Sequence, residues 1–440
     1  VTSPFRALFL IRPGEIPRLL LSCGYFFFLL ASYYVIRPMR EQMSVAGGVS
    51  NLPLLMTATL AAMLLVNPIY GWVVSRMPRR RFVPLVYGFF GLNLLLFWVL
   101  FMSVTQGPAQ IWLGRAFYVW TSVFNLFVVS VFWSTMVDAW SGEQAKRLFA
   151  VIGIGGTVGA IGGAAATNFM VGLLKDRFGE EAIAHVVLLS VLLLACAVGC
   201  FAALVRTGSL GRSGSGEPGP DPLAGLKRAV SSPYLLSIVA YMLLFTITGT
   251  LLYMEQQRIV EATLISREDQ TRFFARLDMA TNATTLLLQA FVTGRLIMLL
   301  GLGAALLAVP LLTLAGFGWL AAAGSLSAVA TFQVVRRAAH YAVDRPAREA
   351  LFSVLGADDR YKAKSLIDTF VYRGGDAIGA WAPKLVSQVS AHPAAPAIFA
   401  CALTVTWVGT AVALAWQNGR AAARLGAPGA GPGVPGGDAR

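Results

Sequence analysis

Charge is scarce in this sequence. Asp, Glu, Lys and Arg make up 13% of the 440 residues and apolar residues 57%, against roughly 25% and 45–50% in ordinary soluble domains. So little polar surface cannot cover so large an apolar interior in water, which excludes a soluble globular chain. Histidine is scarcer still. His185, His340 and His392 are far apart and show no ligand spacing, so no metal and no cofactor are expected. The four cysteines, Cys23, Cys196, Cys200 and Cys401, stand in or beside apolar runs, as small hydrophobes do and disulfide frameworks do not. No Gly-Lys-Ser or Gly-Lys-Thr follows the glycines after Gly153, which excludes a phosphate-cradling loop and an ATPase motor. The formal charge of +14 meets no soluble basic domain that could bind nucleic acid. The chain is not expected to be an enzyme.

What is present is a series of apolar runs near the roughly 20 residues that cross about 30 Å of hydrocarbon as a helix. Their polar and apolar residues do not alternate as barrel strands would, so helices are expected. Six runs, 19–36, 52–74, 82–105, 110–136, 148–174 and 183–205, precede a Gly- and Pro-rich stretch, and six follow it: 233–254, 273–293, 296–314, 317–339, 364–387 and 395–416. The cuts near Gly294 and Gly316 are set by glycine alone, because Arg295 is the only charge between Met279 and Val335. The expected architecture is an all-α polytopic membrane protein of twelve transmembrane helices in two six-helix bundles. Its parts are a cytoplasmic lead-in over 1–18, bundles over 19–206 and 233–416, a linker over 207–232 and a disordered tail over 417–440. The stretch 1–18 carries no signal-peptide cleavage pattern and runs into the first span.

Counting charges at the span ends with the adjoining loops, one side carries 24 of the 35 basic residues and the other eight, while Arg115, Arg276 and Arg373 are assigned to spans. That bias puts both termini in the cytoplasm of a cell whose inner membrane the chain crosses. It also makes anionic lipid a partner of the basic loops, including Arg76 to Arg81.

An internal repeat supports two halves. Gln144-Ala145-Lys146-Arg147-Leu148 lies 218 residues before Lys362-Ala363-Lys364-Ser365-Leu366, and each is followed by small residues: Gly155, Gly156, Gly159 and Gly162 in one case, Gly374, Gly375 and Gly379 in the other. Glycines at this spacing let a neighbouring helix approach closely, and repeats of this kind build many secondary transporters.

An ion within a membrane span is costly, so each one is a candidate for function. Arg37 and Arg40 close the first span, Asp138 the fourth and Glu255 the seventh, while Arg373 and Asp376 lie inside the eleventh. Guanidinium forks match phosphate and carboxylate oxygens. Arg37, Arg40, Asp138, Glu255 and Arg373 are therefore substrate-binding candidates. Arg115, Arg276, Asp368 and Asp376 are candidates for gating or for pairing, with Asp376, Asp368 or Asp138 as the partner of Arg373. The bland alternatives are snorkelling of Arg37 and Arg40 to the headgroups, a helix-end salt bridge for Asp138 and loop exposure for Glu255.

These residues also carry a resemblance. Phe132-Trp133, Asp138 and the run Glu143-Gln144-Ala145-Lys146-Arg147-Leu148-Phe149 with Gly153 resemble the region joining spans four and five of the nucleotide transporter family, the ATP:ADP antiporters. Ile36-Arg37-Pro38-Met39-Arg40-Glu41 with Val45 resembles its first span end, and Lys362-Ala363-Lys364-Ser365-Leu366-Ile367-Asp368 its eleventh span's beginning. The resemblance implies a major-facilitator-like fold and exchange of nucleoside triphosphate for diphosphate. It also implies that Arg40, Asp138, Glu255 and Arg373 take the places of the family's lysine, glutamate, glutamate and lysine. Arginine for lysine exchanges a point charge for a planar fork, so other phosphorylated or nucleoside-bearing solutes stay open.

The leading expectation is a monomeric carrier exchanging anionic nucleotides by alternating access. A proton-coupled carrier of another organic anion or amphipathic solute, with Asp138 or Glu255 as proton site, is the first alternative. A scaffold or lipid-handling protein with a transporter fold is the second.

Overall fold

Long apolar runs become long helices. A computed structural model describes residues 12–208, 232–291, 293–352, 367–389 and 395–426. Its helices are α1 (Ile16–Ala46), α2 (Leu52–Arg76), α3 (Arg79–Ser103), α4 (Pro108–Ala139), α5 (Gly142–Phe178) and α6 (Ala182–Arg206), then α7 (Pro233–Thr263), α8 (Arg267–Phe291), α9 (Thr293–Ala323), α10 (Leu326–Ala339), α11 (Arg345–Leu351), α12 (Tyr372–Val389) and α13 (Ala395–Gly426). Short π-helices at His340–Asp344 and Ile367–Val371 lead into α11 and α12. The protein has an all-α polytopic membrane fold.

Among the described residues, nine helices are long and apolar enough to cross a membrane, rather than the twelve expected. The described parts of the other three expected spans are helical but too short or too charged. The first turns of α8 carry Glu268, Asp269, Arg272, Arg276 and Asp278, α10 is 14 residues long, and α12 contains Arg373, Asp376 and Lys384. The cut expected near Gly316 is also displaced. Gly316 lies within α9, and the chain turns instead at Gly324, whose φ of 53° suits glycine after a helix end. The region 340–351, read as loop from its arginines, is helical. Most of the linker over 207–232, the tail beyond Gly426 and the run Lys362 to Leu366 lie outside the described residues.

The contacts group the chain into two compact units, each described by itself: Val1–Gly219 with Tyr253–Leu286 and Gly324–Ala338, and Pro220–Leu252 with Leu287–Ala323 and Ala339–Arg440. In lipid no hydrophobic force drives helix against helix, so packing and interhelical hydrogen bonds must hold each unit. In the first unit Phe26 stacks on Phe132 at 4.1 Å, and the Tyr25 and Tyr87 hydroxyls bond at 2.6 Å. The Ser32 hydroxyl donates to the Ser190 carbonyl at 2.9 Å, tying α1 to α6.

The glycine stripe of α5 meets α1 at backbone range. A Cβ on Gly155 would stand 2.8 Å from the Cys23 carbonyl oxygen, and one on Gly159 or Gly163 would overlap the carbonyls of Phe27 or Ala31. In the second unit Gly379 of α12 is as close to α7, where a Cβ would lie 2.9 Å from Thr250 Cβ and 3.0 Å from the Ile247 carbonyl oxygen. Each unit thus holds one close helix contact made through glycine, α5 on α1 and α12 on α7. Leu65, Leu92, Phe169 and Leu385 are exposed, as side chains facing lipid must be.

Candidate functional site

The spacing of Arg37, Arg40, Glu41 and Ser44 puts all four on one face of α1. In the first unit this face meets Tyr118 of α4, the last turns of α7 and the first turns of α8. Arg37 Nη1 donates to Asp278 Oδ1. Arg337 Nη1, from α10, donates to the same oxygen at 3.0 Å. The Asp278 side chain is only 3% exposed, and its second oxygen has no hydrogen-bond partner. One carboxylate oxygen therefore joins α1, α8 and α10.

One turn along α1, Arg40 Nη1 donates to Glu41 Oε1 at 2.7 Å and the guanidinium lies 4.1 Å over the Tyr118 ring. Glu41 Oε2 accepts from the Tyr253 hydroxyl at 2.6 Å and from Gln257 Nε2 at 3.2 Å. Arg40 Nε and Gln257 Oε1 are buried without partners. Three guanidiniums, Arg37, Arg40 and Arg337, face two carboxylates, Glu41 and Asp278, leaving one net positive charge with spare donors and acceptors. An apolar-walled cavity of ≈ 110 Å³ lies beside this network rather than within it, bounded by Met39, Gln42, Met43 and Arg267.

The other candidates of this unit stand elsewhere. Asp138 Oδ2 accepts from Arg79 Nε at 3.0 Å, tying the end of α4 to the start of α3. Glu255, 34% exposed, pairs with Arg258 one turn on. Arg115 lies 4.7 Å over the Trp112 ring, and Arg276 donates to Asn168 Oδ1 on α5 at 3.0 Å. The structure thus brings Arg37 and Arg40 into one network, while Asp138 and Glu255 each hold another arginine.

At the opposite end of α1, Ser141 and Gln144 form a capping box at the start of α5. Arg147 Nη2 donates to Glu15 Oε1 at 2.9 Å. The Arg147 guanidinium, with help from the Arg12 backbone N–H and Gln144, holds the Glu15 carboxyl down to about 2.

In the second unit Arg373 Nη1 donates to Asp376 Oδ2 at 3.3 Å, and the Thr250 hydroxyl donates to Asp376 Oδ1 at 3.3 Å. The Asp368 side chain lies outside the described residues. A second polar group is fully buried: Asp344, at 0% exposure, accepts from the Tyr241 hydroxyl and meets His340 Nδ1 at 2.9 Å.

Sequence reasoning passed over Glu41, Asp278, Arg337, Tyr253 and Asp344. The signal for Asp278 was present, as an acid inside the expected span 273–293. Arg337 and Asp344 were hidden by being counted into, or beside, a basic loop.

No family model matches the chain, and no curated protein matches it. Solved structures do. A POT family transporter in complex with a thioalcohol-conjugated peptide matches with a TM-score of 0.63 at 12% identity, covering 92% of this chain and 96% of that one. A bacterial homologue of the human lysosomal transporter Spinster, inward-facing and unoccupied, matches at 0.57 and 15%, covering 93% and 98%. The nucleoside transporter NupG matches at 0.53 and 12%, covering 93% and 99%. The chain shares the fold of these solved transporters. At these identities the likeness speaks for the fold.

Proposed function

We propose that this chain is a secondary transporter that carries a small organic solute across the bacterial inner membrane by alternating access, without covalent chemistry. The observation that carries this reading is the network of Arg37, Arg40, Glu41, Asp278 and Arg337 on α1, α8 and α10, whose two carboxylates are buried. Its one net positive charge and its unsatisfied atoms, Arg40 Nε and Asp278 Oδ2, favour a solute with an anionic group that also offers a donor. Transporters of peptides and nucleosides with this fold support small organic solutes as the class.

Nucleotide exchange is the narrower form of this proposal. It rests on the likeness of Phe132-Trp133, Glu143 to Phe149 and Ile36 to Glu41 to the ATP:ADP antiporters, and Arg37 and Arg40 are the residues we assign to phosphate. Asp138 and Glu255, engaged by Arg79 and Arg258, are assigned to helix-end pairing. Both termini are proposed to be cytoplasmic, with the basic loops on anionic lipid, the carrier acting as a monomer and nucleic acid playing no part.

The test is a thermal-shift screen of purified protein against nucleotides, nucleosides, peptides, sugar phosphates and carboxylates. A specific solute at about 100 times its Kd adds about 2.7 kcal/mol of apparent stability, and Arg40→Gln should remove the shift. No shift from any class would count against the reading.

A further inference from the structure

The buried group on the second unit's π-helix does not belong to the network described above. His340 and Asp344 occupy the ends of the π-helix His340–Asp344, where the Arg345 N–H reaches back five residues to the His340 carbonyl. Pro346, two residues on, has no N–H to offer the preceding turn, which accounts locally for the wider π geometry. Such single π turns in longer helices are frequent at functional sites.

We propose that His340 and Asp344 form a reversible proton-binding site, with Tyr241 as its fixed donor. Asp344 accepts from the Tyr241 hydroxyl of α7 at one oxygen and from His340 at the other. The Tyr241 hydroxyl is itself held near the Leu306 carbonyl of α9 at 2.9 Å. With Nδ1–H directed at Asp344, a proton added to the imidazole at Nε2 makes an imidazolium facing a carboxylate. The pair then passes from one negative charge to none, and no other bond is made or broken.

The groups around the pair fit this role. Phe245 of α7 stacks on the His340 ring at 4.1 Å, a flat apolar wall that keeps the ring in place in either charge state. Arg348 of α11, 6% exposed, acts on Asp344 with its charge. Tyr341, whose ring is 5.2 Å from His340, is 37% exposed. From α12, Tyr372 meets Phe245 at 6.1 Å, and from α13, Trp407 packs on Tyr241 and Phe245. Asp138 and Glu255, the acids first considered for a proton, are held by arginines outside this group, so the structure assigns the proton to a different residue pair.

This inference rests on the transport reading only for the use made of the proton. Its test needs no solute. With three histidines in the chain, ¹⁵N-histidine NMR of the full chain in detergent resolves each imidazole, and His340→Gln identifies one set of resonances. The expected result is that His340 gains a proton reversibly between pH 5 and 9 while the protein stays monodisperse. Asp344→Asn should lower the midpoint by about one pH unit, a roughly tenfold loss of proton affinity, and Tyr241→Phe should shift it less. If His340→Gln fails to fold, Asp344→Asn alone identifies the resonance by its shift. A His340 ring that keeps one protonation state across this range, or one whose titration ignores Asp344→Asn, would overturn the proposal. Titration without any transported solute would leave the proton site standing and remove the transport reading instead.

Discussion

Replacing Asp278 by Asn is the perturbation whose cost follows most directly from the structure. The carboxylate is buried and one of its oxygens accepts from both Arg37 and Arg337. Hydrogen bonds to charged groups contribute about 1.5–3 kcal/mol each, and stranding one member of a buried pair costs about 3–5 kcal/mol. Asparagine keeps an acceptor but loses the charge, so about 3 kcal/mol of destabilisation is expected. Arg37→Gln should cost less, about 1.5–2 kcal/mol on the same scale, because Arg337 still holds the acid. The double variant should fall short of the sum of the two by more than about 1 kcal/mol, the mark of a shared interaction. Unfolding of purified protein in mixed micelles, followed by tryptophan fluorescence, measures all three. Additive effects, each under about 1 kcal/mol as for exposed pairs, would refute the reasoning.

Gly159→Ala should destabilise by about 1–3 kcal/mol through overpacking against the Phe27 carbonyl, while Gly153→Ala, with nothing within 4 Å of its Cβ position, should be neutral or slightly stabilising in the same unfolding assay. Glu15, depressed to about 2 from 4.5, should contribute fully above pH 4.5 and lose that contribution as the pH falls through about 2; acid unfolding curves of wild type and Glu15→Gln should converge over that window, and parallel curves would contradict it. Arg373→Ala should leave stability within about 1 kcal/mol, since its partner Asp376 is partly exposed, yet should impair solute flux; full flux in a well-folded variant would move attention to Arg37, Arg40 and Arg276.

Periodicity and hydropathy made the helices legible, and the small-residue stretches made one contact in each unit legible, because both are properties of short stretches. The ends were less so. Helix α1 runs on through Arg37, Arg40 and Glu41 to Ala46, since those charges find partners in protein rather than ending the helix at the lipid boundary. Arg37 meets an acid 241 residues away, and no local pattern specifies a partner at that distance. Arg348 lies between expected spans, and Arg336 and Arg337, at the end of the expected span 317–339, are counted with the basic loop that follows, because hydropathy treats every arginine as solvated, whereas Arg336 and Arg348 are buried and Arg337 is bonded to Asp278. The π-helix was invisible for a related reason: Pro346 after His340 and Asp344 reads as a break, not as a widened turn.

Flux measured directly is the decisive observation for the transport reading. Purified protein reconstituted in vesicles should take up at least one labelled small organic solute, with nucleotides, nucleosides, peptides and carboxylates each tried against trapped counter-solute and against an imposed pH gradient. The expected result is saturable uptake of one class, abolished by Arg40→Gln in protein that still reconstitutes. Uptake equal to that of empty vesicles for every class, from protein that remains monodisperse and correctly inserted, would contradict the account.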